Sequence, residues 1–156
     1  GLEITKPAMD AFFAKHLKLN NPKQQILKIK APEGGGTGRF RAIAVTEKSL
    51  PDFVVYRPAT LPGATFRGSK LPVMVYANGG CMNTSIHQEK MLIEIASHGY
   101  IVIAIGEMQN YAFDRKENHT HVSMLTEAID WIVAKNSDKG SEYYNLVDTE
   151  KISAAG

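Results

Sequence analysis

Leu71-Pro72-Val73-Met74-Val75-Tyr76-Ala77-Asn78-Gly79-Gly80-Cys81-Met82-Asn83 is the stretch on which the fold turns. Residues 73–77 form a continuous apolar run of strand length. The glycines that follow favour a strand buried on both faces over a buried helix. Ser85 and Gln88 have the spacing of a capping box, so a helix is expected to begin there. Its apolar face would be Met91, Leu92, Ile95 and Ala96, and His98-Gly99 would close it, with Gly99 in the left-handed position. Residues 100–105 follow at once as a second strand buried on both faces.

Downstream, a polar loop over 106–119 leads to Val122, Leu125, Ile129, Ile132 and Val133, an apolar stripe at helical spacing that ends within 136–140. Residues 151–155 read as one more short strand before Gly156. Strand, helix, strand, helix, strand makes two βαβ units, which predicts a parallel sheet with right-handed crossovers. Upstream, 40–45 and 53–56 are short β-rich runs separated by Ser49-Leu50-Pro51-Asp52. They predict an antiparallel hairpin at one edge of that sheet. Pro58, Pro62, Gly63 and Gly68 then mark a surface loop.

Nearer the start, Pro7, Met9, Phe12, Phe13 and Leu17 predict an amphipathic helix over 6–18. The Gly-rich segment 33–38 reads as a flexible turn, since a phosphate cradle needs a buried strand before it and a helix after it. The expected organisation is a helix and Gly-rich linker over 1–38, then part of one α/β domain over 39–156.

Composition narrows the function class. With 44% apolar and 22% charged residues, the 156-residue chain is of ordinary globular make-up and large enough to bury a core. Eighteen basic residues against sixteen acidic ones, without blocks of like charge, give no reason to expect nucleic acid or an anionic membrane surface as a partner. One cysteine, Cys81, excludes an intrachain disulfide and a Cys-rich metal site. No apolar run approaches the roughly 18 residues that span a bilayer. The start at Gly1-Leu2 has the form of a processed or tag-cleaved terminus. Removal of a signal peptide would make the protein secreted or periplasmic, but these residues do not fix its location.

In open α/β sheets, ligands bind beyond the carboxyl ends of the parallel strands. Residues 78–83, 106–109 and Gly156 are expected there. Gly79-Gly80 can turn backbone N–H groups toward a ligand, as in an oxyanion site, or can simply turn the chain into the helix. The local residues do not separate the two readings.

Residues 71–81 resemble the strand and oxyanion loop of α/β-hydrolases related to dienelactone hydrolases, bacterial cutinase-like esterases and platelet-activating-factor acetylhydrolases. Ala96-Ser97-His98-Gly99-Tyr100 and the apolar run after it resemble the next helix end and strand of those proteins. Residues 148–156 resemble the approach to their nucleophile elbow, with Gly156 as the first glycine of G-x-S-x-G and the serine two positions further on. The three blocks occur in order, and the resemblance covers roughly 40–156.

It implies an α/β-hydrolase-type, mostly parallel sheet, truncated after the strand that leads to the elbow. It also implies a serine hydrolase, an esterase working through an acyl-enzyme on a small-molecule ester, without cofactor or metal. The backbone N–H of Gly80 or Cys81 would be one oxyanion donor, with Met82 and Glu107 against the substrate. Serine, acid and histidine would all follow residue 156, leaving this chain inactive alone. Asn78 and Cys81 depart from a lipase-type H-G-G-G loop, and the shorter loops of cutinase-like enzymes are the closer pattern. The missing C-terminal half, or a second copy, would cover the exposed sheet.

Other groups have simpler expectations. Cys81 is read as a packed or loop thiol, and His98 as a cap on helix carbonyls. His119 and His121, near Asp114 and Glu117, are read as a solvated loop rather than a metal site. Glu107 is either a pocket residue or a carboxylate in water. The competing function class is a non-catalytic α/β binding module that pairs with a second copy.

Overall fold

In the computed structural model the described residues are 25–61, 68–110 and 120–156; the helix expected over 6–18 lies outside them. Among them, six strands form one sheet. These are β1 (Ile26–Lys30), β2 (Ala42–Glu47), β3 (Leu50–Pro58), β4 (Leu71–Tyr76), β5 (Ile101–Ile105) and β6 (Val147–Ala155), in the order β1-β2-β3-β5-β4-β6. Helix α1 (Glu89–Ser97) links β4 to β5, and α2 (Ser123–Ser137) links β5 to β6.

β4 pairs parallel with β5 on one side and with β6 on the other. β1–β2, β2–β3 and β3–β5 are antiparallel. The class is α/β, but the sheet is mixed rather than mostly parallel. Helical crossovers fix only the strands they join, whereas the tight Lys48-Ser49 turn forces β2 and β3 antiparallel. β1 adds a further antiparallel edge. Its sequence hid it, because the register slips between Ile26 and Lys28 and breaks the alternation expected of a strand.

The two helices cover opposite faces. Ile101, Ile103 and Ile105 of β5 pack toward Ala128, Trp131 and Ile132 of α2, while Val102 and Ala104 pack toward Leu92, Ile93 and Ala96 of α1. Ala42, Ala44 and Ala104 keep the α1 layer thin enough for that helix to lie close. A fully buried Leu92 contributes about 1.5–3 kcal/mol relative to an exposed one. β5 is therefore buried on both faces, as its run of aliphatic residues requires. β4 is not: Val73 and Val75 are buried, but Met74 and Tyr76 only half so. The cause is placement, since α1 lies over β2, β3 and β5.

The helices also differ in detail from their sequence patterns. α1 buries Ile93 and exposes Met91, and it is entered through a 3-10 turn (Ile86–Gln88) in place of a capping box. α2 buries Ala128 and Trp131 while Val122 and Val133 face outward. Trp131 reaches the β2–β3 turn, its Nε1 donating to Ser49 Oγ at 2.9 Å. Residues 33–38 are strapped to α1: the Thr37 N–H and hydroxyl donate to the Glu94 carboxylate, and the Gly38 N–H to Ser97 Oγ at 2.9 Å. The two Thr37 bonds, with a smaller contribution from His98, hold the Glu94 carboxyl below its ordinary range. His98 is the C-cap of α1 through its backbone N–H, which donates to Ile95 O at 3.1 Å, while its ring lies against Glu94 at 3.0 Å.

A buried polar knot fixes the loop between α2 and β6. Tyr143 donates to Glu47 Oε1 at 2.6 Å, and Arg57, 1% exposed, donates to Glu142 at 3.0 Å while lying 5.6 Å over the Tyr143 ring. Burial pushes Glu47 above the usual carboxylate range and Tyr143 well above a free phenol. Among the described residues, no helix is long and apolar enough to cross a membrane.

Candidate functional site

Where adjacent parallel strands send their connections to opposite faces, a crevice opens beyond their carboxyl ends. β4 and β5 make such a pair, because the loop after β4 leads to α1 on one face and the loop after β5 leads to α2 on the other. The candidate site is built from these two loops.

The first loop leaves β4 at Ala77 and makes one 3-10 turn, Gly79–Cys81. Gly80 (φ 65°, ψ 24°) and Cys81 (φ 55°) are both left-handed. Glycine bears this cheaply; cysteine bears it at roughly 1–2 kcal/mol. A 3-10 turn of three residues leaves their N–H groups without acceptors inside the turn. Gly79, Gly80 and Cys81 are all exposed residues. Successive amides in such a conformation form an anion-binding concavity.

Three carbonyls of the same loop accept hydrogen bonds. Gly79 O accepts from Met82 N at 3.4 Å, Cys81 O from the Thr120 hydroxyl at 3.0 Å, and Met82 O from Asn78 Nδ2 at 2.9 Å. Asn78 Nδ2 also donates to Ile105 O, the last carbonyl of β5, at 2.6 Å. Both neighbours are carbonyl oxygens, so only the amino group of Asn78 can face them. The second loop comes equally close. At Gly106 (φ 113°) a Cβ would lie 2.5 Å from the Asn83 carbonyl carbon, so the loops touch backbone to backbone. Lys30 holds the far side, with Nζ 2.7 Å from Glu89 Oε1 and 3.3 Å from Gln109 O.

The structure thus places Gly80, Cys81 and Met82 on one loop at the carboxyl edge of the sheet. Cys81 is an exposed free thiol, not a packed one. Glu107 lies on the neighbouring loop, but it lines a narrow crevice with Tyr56, Ser85, Ile86, Glu89 and Met108 on the α1 side. Beneath that crevice, Tyr56 OH and Ser85 Oγ are 2.8 Å apart; burial raises the Tyr56 phenol, which stays protonated. Gly156 ends β6 against Ala77, where its Cβ would lie 2.6 Å from Ala77 O, so it stands at the same edge.

Of the two residues that brace the loop, Thr120 was not singled out by its sequence context, and Asn78 stood out only as a departure from the H-G-G-G pattern. The strand-end position of Asn78 was visible, but its partner twenty-seven residues away was not. His121 is exposed, and the rest of the His-x-His cluster lies outside the described residues. Two roomier concavities lie away from this edge. One, of about 550 Å³, borders Glu47, Lys135 and Tyr143; the other, of about 630 Å³, runs between Lys30, Thr37, Glu89 and Glu94.

No protein-family model matches the chain. No curated protein matches it either. Among solved structures, an esterase of the fungus Rhizomucor miehei is similar with a TM-score of 0.43 and 16% identity, over 99% of this chain and 45% of the esterase. This chain therefore spans less than half the length of that esterase.

Proposed function

We propose that this chain carries the oxyanion-binding loop of a serine ester hydrolase whose nucleophile lies beyond Gly156. The observation that carries the reading is the exposed, left-handed Gly79–Cys81 turn, whose Gly79 and Cys81 carbonyls already accept hydrogen bonds from Met82 N and the Thr120 hydroxyl. Successive amides in such a turn can serve as donors to a developing negative charge. Preorganised donors of this kind lower the barrier to acyl transfer, and removing one costs roughly 10²–10³ in rate. The resemblance of 71–81, 96–104 and 148–156 to α/β-hydrolases supports the same reading.

In this proposal the Gly80 or Cys81 N–H supplies one oxyanion donor, and the residue after the serine supplies the other. The serine attacks the ester carbonyl, a histidine takes its proton, and an acidic residue orients the histidine. Met82 and Glu107 flank the substrate on the two loops. No serine occupies a G-x-S-x-G within residues 1–156, so the chain by itself should not turn over esters. The test is p-nitrophenyl acetate hydrolysis by this chain and by the product of its reading frame continued past Gly156. The longer protein is expected to hydrolyse the ester and the 156-residue chain to match a boiled control. Turnover by the shorter chain, or none by the longer, refutes the proposal.

A second reading is favoured by β6, whose residues Ser153, Ala154 and Ala155 are exposed. A non-catalytic module could cover that face with a second copy of itself. Sedimentation separates the two: a monomer at all concentrations removes the second reading.

A further inference from the structure

We infer that Asn78 is the positioning residue of this site, setting the Gly79–Cys81 turn against the end of β5 through its side-chain amide. This rests on the ester-hydrolase reading for its consequence, but its geometry stands apart from it. Asn78 is 7% exposed, and its single amino group spends both protons on carbonyls, one in its own loop and one at the end of β5: Met82 O at 2.9 Å and Ile105 O at 2.6 Å. One planar group therefore fixes both the closure of its own turn and the distance of that turn from β5. Two braces act with it, the Thr120 hydroxyl on Cys81 O and the backbone contact of Gly106 with Asn83. The first comes from outside the sheet and the second meets the loop beyond the turn, at Asn83, whereas Ile105 O belongs to a strand buried on both faces and bonds the residue that opens the turn. Asn78 Oδ1 is buried and has no hydrogen-bond partner among the described residues. A buried acceptor left unmatched is costly, so packing alone does not explain an asparagine here; an apolar residue of similar size would serve packing better. What the asparagine supplies here is its two donors.

Asn78→Asp keeps the shape and replaces the two donors with oxygens facing two carbonyls. Cys81 is the only cysteine, so a nitroxide placed on it reports the motion of the turn by electron paramagnetic resonance in the chain as it stands. Losing a buried bond of this kind is expected to raise the ratio of mobile to immobile label about tenfold. An unchanged spectrum in a folded variant overturns the inference, whatever the esterase assay shows. Should Asn78→Asp not fold, Asn78→Ser, which keeps one donor, is expected to give a smaller rise, and no rise there overturns the inference equally. In the longer protein, Asn78→Asp is expected to lower kcat by about tenfold or more with KM little changed, because a displaced donor weakens only the transition state. Ser97→Ala, which loosens the strap on α1 far from the site, is expected to lower Tm without touching kcat. Equal kcat in Asn78→Asp and the parent overturns the positioning role, while absence of activity in the parent overturns the ester-hydrolase reading alone.

Discussion

Single residues in this protein are decided by partners that the local sequence does not show. Ser85 has the spacing of a helix cap, yet its hydroxyl meets Tyr56, twenty-nine residues earlier in the chain, because the helix starts a turn later at Glu89. Glu47 looks like the polar end of a strand and is in fact 3% exposed beneath Tyr143. That pair gives a prediction with a definite pH sense. Burial raises the Glu47 pKa above its value in the unfolded chain, and the Tyr143 hydroxyl opposes the rise. A raised carboxylate favours folding below the unfolded pKa, and that contribution disappears as pH climbs through the folded value. Tyr143→Phe removes the opposing bond and strands the charged carboxylate. The variant should lose about 1–3 kcal/mol at neutral pH, and less in acid where Glu47 is protonated. Urea unfolding at the two pH values checks this, and an equal loss at both would mean that Glu47 is not the group affected.

Elements were more legible than residues. The run at 73–77 and the aliphatic stretch before Gly106 announce strands by composition, and both are strands. β1 and the first residues of β6 did not announce themselves. Both contain register slips, between Ile26 and Lys28 in one and between Val147 and Ile152 in the other, and a slip destroys the period of two by which strands are recognised. The helix faces shifted for a related reason. A helix buries whichever side the sheet presents, so Ile93 and Trp131 turned inward at the expense of Met91 and Val133. The contact of the two site loops belongs to this scale as well. Gly106→Ala would push a methyl into the Asn83 and Thr84 backbone, 2.5–2.6 Å away, at a left-handed residue. It should cost about 2–3 kcal/mol in unfolding free energy, through overpacking and backbone strain together. A loss below about 0.5 kcal/mol, the size of an ordinary surface change, would show that the loops separate freely.

For the whole molecule, the ordering of strand, loop and helix was enough to predict an α/β fold and to direct attention to one edge of the sheet. It was not enough to predict how many antiparallel junctions the sheet would carry, since hairpin pairing beyond a crossover is settled by tertiary contact. Nor did it reveal the bonds that brace the loop, which depend on Asn78, Thr120 and β5 meeting in space. In the function proposed above, this edge binds the oxyanion of an ester hydrolase and the nucleophile follows Gly156. The most direct measurement is intact-mass analysis after treatment with a fluorophosphonate, on this chain and on the product of the reading frame that continues it. The expected result is one adduct on the longer protein, on a serine two positions past Gly156, and none on the 156-residue chain. An unmodified longer protein, or an adduct on the shorter chain, would contradict the account.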